Sequence, residues 1–124
     1  MPTIVHFEIP ADNLERAKDF YAELFGWKYQ RAESGPIEYW MIETKDEKGE
    51  KGLCGGMMGK MQPGHSITNY IDVPSVEEYS AKVEKAGGKV LMPKQVVPSH
   101  GYFAVCVDTE GNSFGLWEVD SEAK

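Results

Sequence analysis

The chain of 124 residues contains few cysteines, no long apolar run and no excess of positive charge. Its two cysteines, Cys54 and Cys106, lie far apart and lack the short paired spacings of a zinc site or a redox motif. We therefore interpret both as reduced residues of core strands. A reactive thiol that faces a cavity is the alternative.

Long apolar stretches are also missing. Nowhere does the sequence reach the roughly 18 consecutive apolar residues that a membrane-spanning helix needs. The first ten residues, MPTIVHFEIP, have no basic flank followed by an apolar run, which a secretory signal would show. The sequence thus predicts a cytoplasmic protein that does not contact a membrane.

Positive charge is outweighed by negative charge. The chain has 20 Asp and Glu against 13 Lys and Arg, a formal net charge of −7. Such a surface repels the phosphates of nucleic acids and of anionic lipids, so neither is an expected partner. A neutral or cationic small molecule remains compatible with this charge, although the acidity is also explained by solubility alone.

One supersecondary unit is written twice, in HFEIPADNLERAKDFYAELFGWKY and again in NYIDVPSVEEYSAKVEKAGGKV. In each copy a strand ends at a proline, a capping-box pattern opens a helix and glycine closes it. The capping pairs are Asp12 with Glu15 and Ser75 with Glu78. The helices share an apolar i, i+3, i+7, i+10 spacing, formed by Leu14, Ala17, Tyr21 and Leu24 in the first and Val76, Tyr79, Val83 and Ala86 in the second.

Alternation and turn signals extend each copy to a βαβββ module. The predicted elements are strands at 3–9, 27–30, 38–43, 53–58, 67–73, 89–92, 102–107 and 113–118, with helices at 13–25 and 76–86. A turn is expected at 34–36, an exposed hairpin loop at the charged run 44–51, and a longer loop at 93–101 that could cover a cavity. We predict an α+β fold in a single domain over 1–124, with module one at about 1–60 and module two at about 65–120.

Several motifs together resemble one superfamily. HFEIP, DFYAELFGW, the glycine-rich CGGMM strand and DTEGNSFGLWE are similar to the vicinal oxygen chelate superfamily, which includes glyoxalase I, extradiol dioxygenases, fosfomycin-resistance enzymes and bleomycin-binding proteins. The branch that the motifs resemble most is related to lactoylglutathione lyase. The resemblance implies curved mixed sheets from the two modules around a cavity.

In metal-dependent members of that superfamily, each module supplies one metal ligand from its first strand and one from its last. The matching positions here are His6 and Thr68 on the first strands and Gly56 and Gly115 on the last strands. Only His6 is a good ligand for a divalent metal. We therefore expect no metal and no other cofactor.

His6 and Glu8 are candidate catalytic residues. Residues two apart in a strand point to the same face, so this pair could act as a general base with an orienting partner. The alternative, which we favour, is a satisfied polar pair that anchors the first strand or hydrogen-bonds a ligand without chemistry.

The same alternation gives candidate ligand-binding residues. Those predicted to line the cavity are Cys54, Gly56 and Met58 on one strand, Thr68 and Tyr70 on another, and Gly115 and Trp117 on the last. Methionine and aromatic side chains at strand spacing also commonly fill a core, which is the competing interpretation. His65 and His100 fall in predicted loops, where we expect solvent exposure.

These observations favour a protein that binds a small organic molecule between its two modules without a metal. The alternatives are a metal-dependent lyase or isomerase resembling lactoylglutathione lyase, or a metal-free enzyme that uses His6 and Glu8. Because open sheets leave edges that need covering, we also expect a homodimer.

Overall fold

A computed structural model describes residues 1–33 and 35–124. The chain divides into two compact units: module one is His6–Ile67, and module two is Thr68–Lys124 together with Met1–Val5. The first five residues belong with module two, where the Asp72 amide donates to the Thr3 carbonyl at 2.9 Å. The sequence had assigned these residues to module one.

The elements follow the predicted order of two βαβββ modules, which confirms the α+β class. They are β1 (Ile4–Ala11), α1 (Leu14–Phe25), β2 (Lys28–Arg31), β3 (Tyr39–Glu43), β4 (Gly55–Gly59), β5 (Thr68–Asp72), α2 (Val76–Lys85), β6 (Lys89–Val97), β7 (Gly101–Val107) and β8 (Ser113–Val119). Among the helices of the described residues, none is both long and apolar enough to cross a membrane.

Each module contains a mixed sheet in which the first strand pairs with the last in parallel. In module one the order is β2-β3-β4-β1, and Glu8 lies opposite Gly56. In module two the order is β5-β8-β7-β6, and Tyr70 lies opposite Gly115. Tyr70 is 62 residues after Glu8, the offset that aligned Thr68 with His6, so this pairing agrees with the alignment of the two copies.

The core of module one lies between its sheet and α1. Ile9, Ile42 and Met57 form the buried centre, and Leu14, Ala17 and Tyr21 of α1 pack against it. The predicted stripe fails only at its last position, because Leu24 is 57% exposed. Module two repeats this arrangement around Val73, Val76, Ala104, Cys106 and Leu116.

Both helices have a side-chain cap at the N-terminus, but the cap of α1 is not the predicted residue. The N-cap of α1 is Asn13, whose side chain accepts a hydrogen bond from the Arg16 amide at 3.0 Å. Asp12, the predicted cap, instead forms an ion pair with Lys60, which directly follows β4, at 3.2 Å. In α2 the prediction is confirmed, since the Ser75 hydroxyl accepts from the Glu78 amide at 3.1 Å.

The two cysteines lie in different environments. Cys106 is fully buried in β7, and burial raises the pKa of its thiol, so it is a core residue as predicted. Cys54 lies just before β4 rather than inside a strand and is half-buried. Its strand assignment was wrong because β4 begins one residue later.

The predicted loop at 93–101 is largely a strand. β6 runs to Val97, and only 98–100 form a turn. Pro93 is tolerated because β6 is the last strand in the order of module two and its pairing with β7 is irregular on both sides of Met92. The charged run is confirmed as an exposed hairpin loop, closed by a bridge between Lys45 and Lys51. The predicted turn at 34–36 includes Ser34, which lies outside the described residues.

Gly115 provides a test of packing in module two. A methyl group at this position would overlap the Tyr70 ring, whereas one at Gly59 would meet no atom within 4 Å. We expect Gly115→Ala to lower the free energy of unfolding by about 1–3 kcal/mol, because overpacking forces side chains out of their rotamers. Gly59→Ala is the matched control and should unfold like the wild type in urea. Equal midpoints for the two variants would contradict this packing.

Candidate functional site

A hydrogen-bonded group of three side chains lies on one face of the sheet of module one. His6 and Glu8 point to the same side of β1, and Tyr39, at the start of β3, lies between them. The Tyr39 hydroxyl is 2.9 Å from His6 Nε2 and donates to Glu8 Oε2 at 2.9 Å. We call these three residues the His6–Tyr39–Glu8 group.

The protons in this group follow from its hydrogen bonds. Tyr39 has one hydroxyl hydrogen and donates it to Glu8, so the contact with His6 requires the imidazole Nε2–H as donor. Burial lowers the pKa of His6 from its usual 6.5, so the imidazole is neutral at pH 7. In a neutral ring with a proton on Nε2, Nδ1 carries the basic lone pair.

Gly56 makes room for the phenol of Tyr39. A Cβ atom at position 56 would overlap the Tyr39 hydroxyl and ring. In the β3–β4 register Tyr39 lies opposite Met58, so its ring reaches diagonally to the glycine two residues away. The fourth-strand glycine is therefore covered by an aromatic side chain rather than left as open space.

Tyr39 is the residue of this candidate site that the sequence did not identify. The alternation of its strand, in which Ile42 is buried in the core, could have placed Tyr39 on the same face as Met41. The register of β3 against β4 was the missing information. It depends on the hairpin that closes at Lys45 and Lys51, and no short turn motif fixes that length.

Of the other two predicted residues of module one, Met58 lies on the face of the candidate site and Cys54 makes its contact elsewhere. Met58 is buried and alternates with Met57, which packs in the helix-side core, so Met58 lies on the face of Gly56 as predicted. The thiol of Cys54 lies 4.0 Å from the Gly52 carbonyl oxygen, a local contact outside the His6–Tyr39–Glu8 group.

The predicted residues of module two form a mostly aromatic face. The Thr68 hydroxyl is buried and lies 3.3 Å from the Ser113 hydroxyl. The Tyr70 ring covers Gly115 and packs edge-on against Phe103, with ring centroids 6.2 Å apart. Each module therefore places a tyrosine over its fourth-strand glycine.

Trp117 lies on β8, two residues after Gly115 and on the same face by alternation. Its ring closes over Gly101, at the start of β7, where an added Cβ would lie 2.9 Å from the indole. Glu118 points to the opposite side, where its carboxylate accepts from the Val76 amide at 2.9 Å and caps α2.

These residues do not fit the divalent metal that the resemblance implies. Of the four expected ligand positions, His6 is hydrogen-bonded to Tyr39, Thr68 contacts another hydroxyl, and both glycines are covered by tyrosines. Within residues 1–33 and 35–124, no three His, Cys, Asp or Glu side chains are grouped so that they could hold a metal. Catalytic zinc-type sites use about three protein ligands.

Comparison with known proteins gives a consistent family match. Residues 3–116 match the sequence model of the Glyoxalase/Bleomycin resistance protein/Dioxygenase superfamily. A glyoxylase-like domain-containing protein of Didymella fabae is 33% identical over 115 residues, which cover 88% of each chain. A relative from Mycobacterium bovis is 28% identical over 109 residues, and the match spans 41% of that longer protein.

Solved structures with the same fold include enzymes. A variant of methylmalonyl-CoA epimerase from Streptomyces coelicolor, in complex with 2-nitronate-propionyl-CoA, has a TM-score of 0.67 at 14% identity, covering 98% of this chain and 97% of the epimerase chain. A superfamily member from Vibrio splendidus 12B01 also has a TM-score of 0.67 at 14% identity, with 95% and 99% coverage. At these identities the similarity shows the fold alone.

The half-buried, neutral imidazole of His6 predicts a pH dependence of stability. In the unfolded chain its pKa returns to about 6.5, so below that pH the unfolded state binds a proton that the folded state does not. The neutral His6 therefore costs no stability above pH 6.5, and the free energy of unfolding falls as the pH drops below that value. We expect urea unfolding at about pH 7.5 and pH 5.5 to show a smaller loss in His6→Gln than in the wild type.

The matched control for this experiment is His100→Gln, because His100 is exposed in a turn. This variant should lose as much stability on acidification as the wild type. If His6→Gln and the wild type lose the same amount, the burial of a neutral imidazole at position 6 is wrong.

Because only one good metal-binding side chain is present at the four expected positions, we predict that the purified protein lacks a bound metal. We expect the purified protein to hold no stoichiometric nickel, zinc, iron or manganese, because one imidazole binds a divalent ion too weakly to retain it. It should also not isomerise the glutathione hemithioacetal of methylglyoxal. Elemental analysis tests the first statement. One equivalent of metal that disappears in His6→Ala would overturn it.

Proposed function

Since the chain belongs to the Glyoxalase/Bleomycin resistance protein/Dioxygenase superfamily, we propose that it binds a small neutral or cationic organic molecule without a metal. The binding surface is the face of module one that carries the His6–Tyr39–Glu8 group. The observation that carries the proposal is that His6 and Glu8 both hydrogen-bond to the Tyr39 hydroxyl. All three side chains lie on the face of the sheet that is opposite to α1.

The hydrogen-bonding capacity of the group supports a ligand with a polar end. A carboxylate accepts hydrogen bonds and an imidazole can both donate and accept. Tyr39 holds these two side chains in fixed positions, which lowers the entropy that a ligand must overcome to bind them. A hydroxyl, amine or carbonyl group on the ligand suits such partners.

The surroundings of the group suit an apolar ligand body. Met58 lies on the same strand face, and Met41, two residues after Tyr39 on β3, is 42% exposed. Methionine side chains are flexible and polarisable, so they adapt to irregular apolar shapes and contact aromatic rings favourably. This combination of adaptable apolar contacts and a few fixed polar groups is typical of small-molecule sites.

Charge narrows the ligand class. The net charge of −7 repels anions, and Glu8 adds a carboxylate at the polar end of the surface. The Streptomyces coelicolor epimerase variant holds a CoA ester, whose phosphates are anionic. We therefore expect neutral or cationic molecules to bind this chain in preference to phosphorylated ones.

A second candidate function is proton transfer at a carbon next to a carbonyl, and the neutral state of His6 favours it. A neutral imidazole with its pKa below 6.5 can accept a proton at pH 7. The proton would move from the carbon to Nδ1 of His6 and return to the carbon, so nothing is consumed. Tyr39, which accepts the Nε2–H, would act as a positioning residue for the imidazole.

One experiment tests both functions. Saturation-transfer NMR in D2O would use phenylacetone and benzylamine as neutral and cationic probes and phenyl phosphate as the anionic control. We expect transfer to at least one of the first two, and a dissociation constant about 2- to 10-fold weaker in Tyr39→Phe, since one hydrogen-bonding hydroxyl is lost. Tyr102→Phe, a half-buried tyrosine that packs against the core of module two, is the matched control.

The outcomes separate the candidates. Binding without a change in the probe supports the binding function. Deuterium incorporation at the CH2 of phenylacetone, lost in His6→Gln, supports proton transfer. Binding that is unaffected by Tyr39→Phe, or equally affected by Tyr102→Phe, would place the ligand elsewhere and remove both proposals.

A further inference from the structure

Helix α1 has two large exposed apolar residues beside the stripe that packs into the core of module one. Leu14, Ala17 and Tyr21 pack into the core of module one, yet Phe20 is 56% exposed and Leu24 is 57% exposed. These two residues are four apart and therefore lie one above the other on the helix surface. The core of module one needs neither side chain, so this adjacent pair is a candidate contact surface.

The exposed face of α1 combines a projection with a depression. Phe20 is at its centre and Leu24 projects from its C-terminal half. Beside the N-terminal half is an apolar depression of about 290 Å³, lined by Ala11, Asp12, Asn13, Arg16, Ala17, Phe20 and Tyr21. The projecting Leu24 and the apolar depression therefore lie on opposite sides of Phe20 along the helix axis.

We propose that this face of α1 binds the same face of a second copy of the chain. The two helices would run antiparallel, related by a two-fold axis that passes beside Phe20. Such an axis reverses the order of residues along the helix and keeps each residue on the same side of the contact. Contacts therefore form between residues that lie at similar distances before and after Phe20.

The helical positions make the face self-complementary in shape. At 3.6 residues per turn, Ala17 and Leu24 lie on one side of Phe20. The two-fold axis places Leu24 of the partner subunit against Ala17, inside the apolar depression, and the reciprocal contact forms on the other copy. The Leu24 side chains of both copies therefore become buried in one symmetric contact.

The face is also self-complementary in charge. Arg16 and Glu23 are both exposed and lie on the other side of Phe20, four residues before it and three residues after it. The same axis places Arg16 opposite Glu23 of the partner subunit, so two ion pairs flank the apolar centre. A partner of unrelated sequence has no reason to carry this reversed order of charges, and a second copy carries it by symmetry.

Sedimentation velocity over a range of micromolar concentrations tests the contact. We expect the wild type to sediment at twice the chain mass of 13.9 kDa. Phe20→Glu should weaken association by about thirtyfold or more, because a charge would be buried at the centre of the interface. The control is Leu91→Glu, at a residue of module two that is 59% exposed and should leave the dimer intact.

A charge exchange provides a second test that does not depend on the apolar centre. Arg16→Glu and Glu23→Arg should each weaken association by about two- to fivefold, and the double variant should restore it. Far-UV circular dichroism should be unchanged in every variant. A monomeric wild type, a dimer that persists in Phe20→Glu, or a double variant weaker than both single variants would overturn the proposal.

Discussion

The contact between a tyrosine ring and a strand glycine is the constraint on which the candidate site depends. In module one the phenol of Tyr39 lies over Gly56, and in module two the ring of Tyr70 lies over Gly115. A side chain on either glycine would occupy the space of the ring. The same two glycines therefore remove two metal ligands and admit two aromatic side chains.

This exchange changes the chemistry of the face of module one. With Tyr39 above Gly56, the imidazole of His6 and the carboxylate of Glu8 are joined by a hydroxyl instead of being directed at a metal ion. The donor order from His6 to Tyr39 to Glu8 fixes which ring nitrogen of His6 carries the hydrogen. Burial lowers the pKa of His6, so the imidazole is neutral at pH 7. A neutral, fixed imidazole can serve as a hydrogen-bond partner or as a base.

Helix α1 shows how the packing of module one departs from a simple amphipathic pattern. Lys18 is buried although it is charged, because its ammonium lies 3.3 Å from the centroid of the Trp40 ring and 2.9 Å from Glu15 Oε1. The aromatic face and the carboxylate satisfy the charge that burial would otherwise penalise. Phe20 and Leu24, which are apolar, remain outside. Polarity alone therefore misassigned which residues of α1 lie inside.

Much of the fold was contained in local sequence. The duplicated strand, cap and helix pattern predicted two βαβββ modules, and alternation within β4 placed Gly56 and Met58 on one face. Local signals were weaker where two neighbouring residues could serve the same role. Asn13, rather than Asp12, caps α1, and β6 continues through Pro93 because its irregular edge pairing does not require that amide.

By itself, the sequence determined the order of the elements and the alternation of each strand, because these depend on residues close together in the chain. The lack of good ligands at three of the four expected metal positions followed from the family resemblance and the alignment of the two copies. Only the tertiary structure decided that Tyr39 joins His6 and Glu8. That contact depends on the register between β3 and β4 and on the space above Gly56, and both are set by residues far apart in sequence.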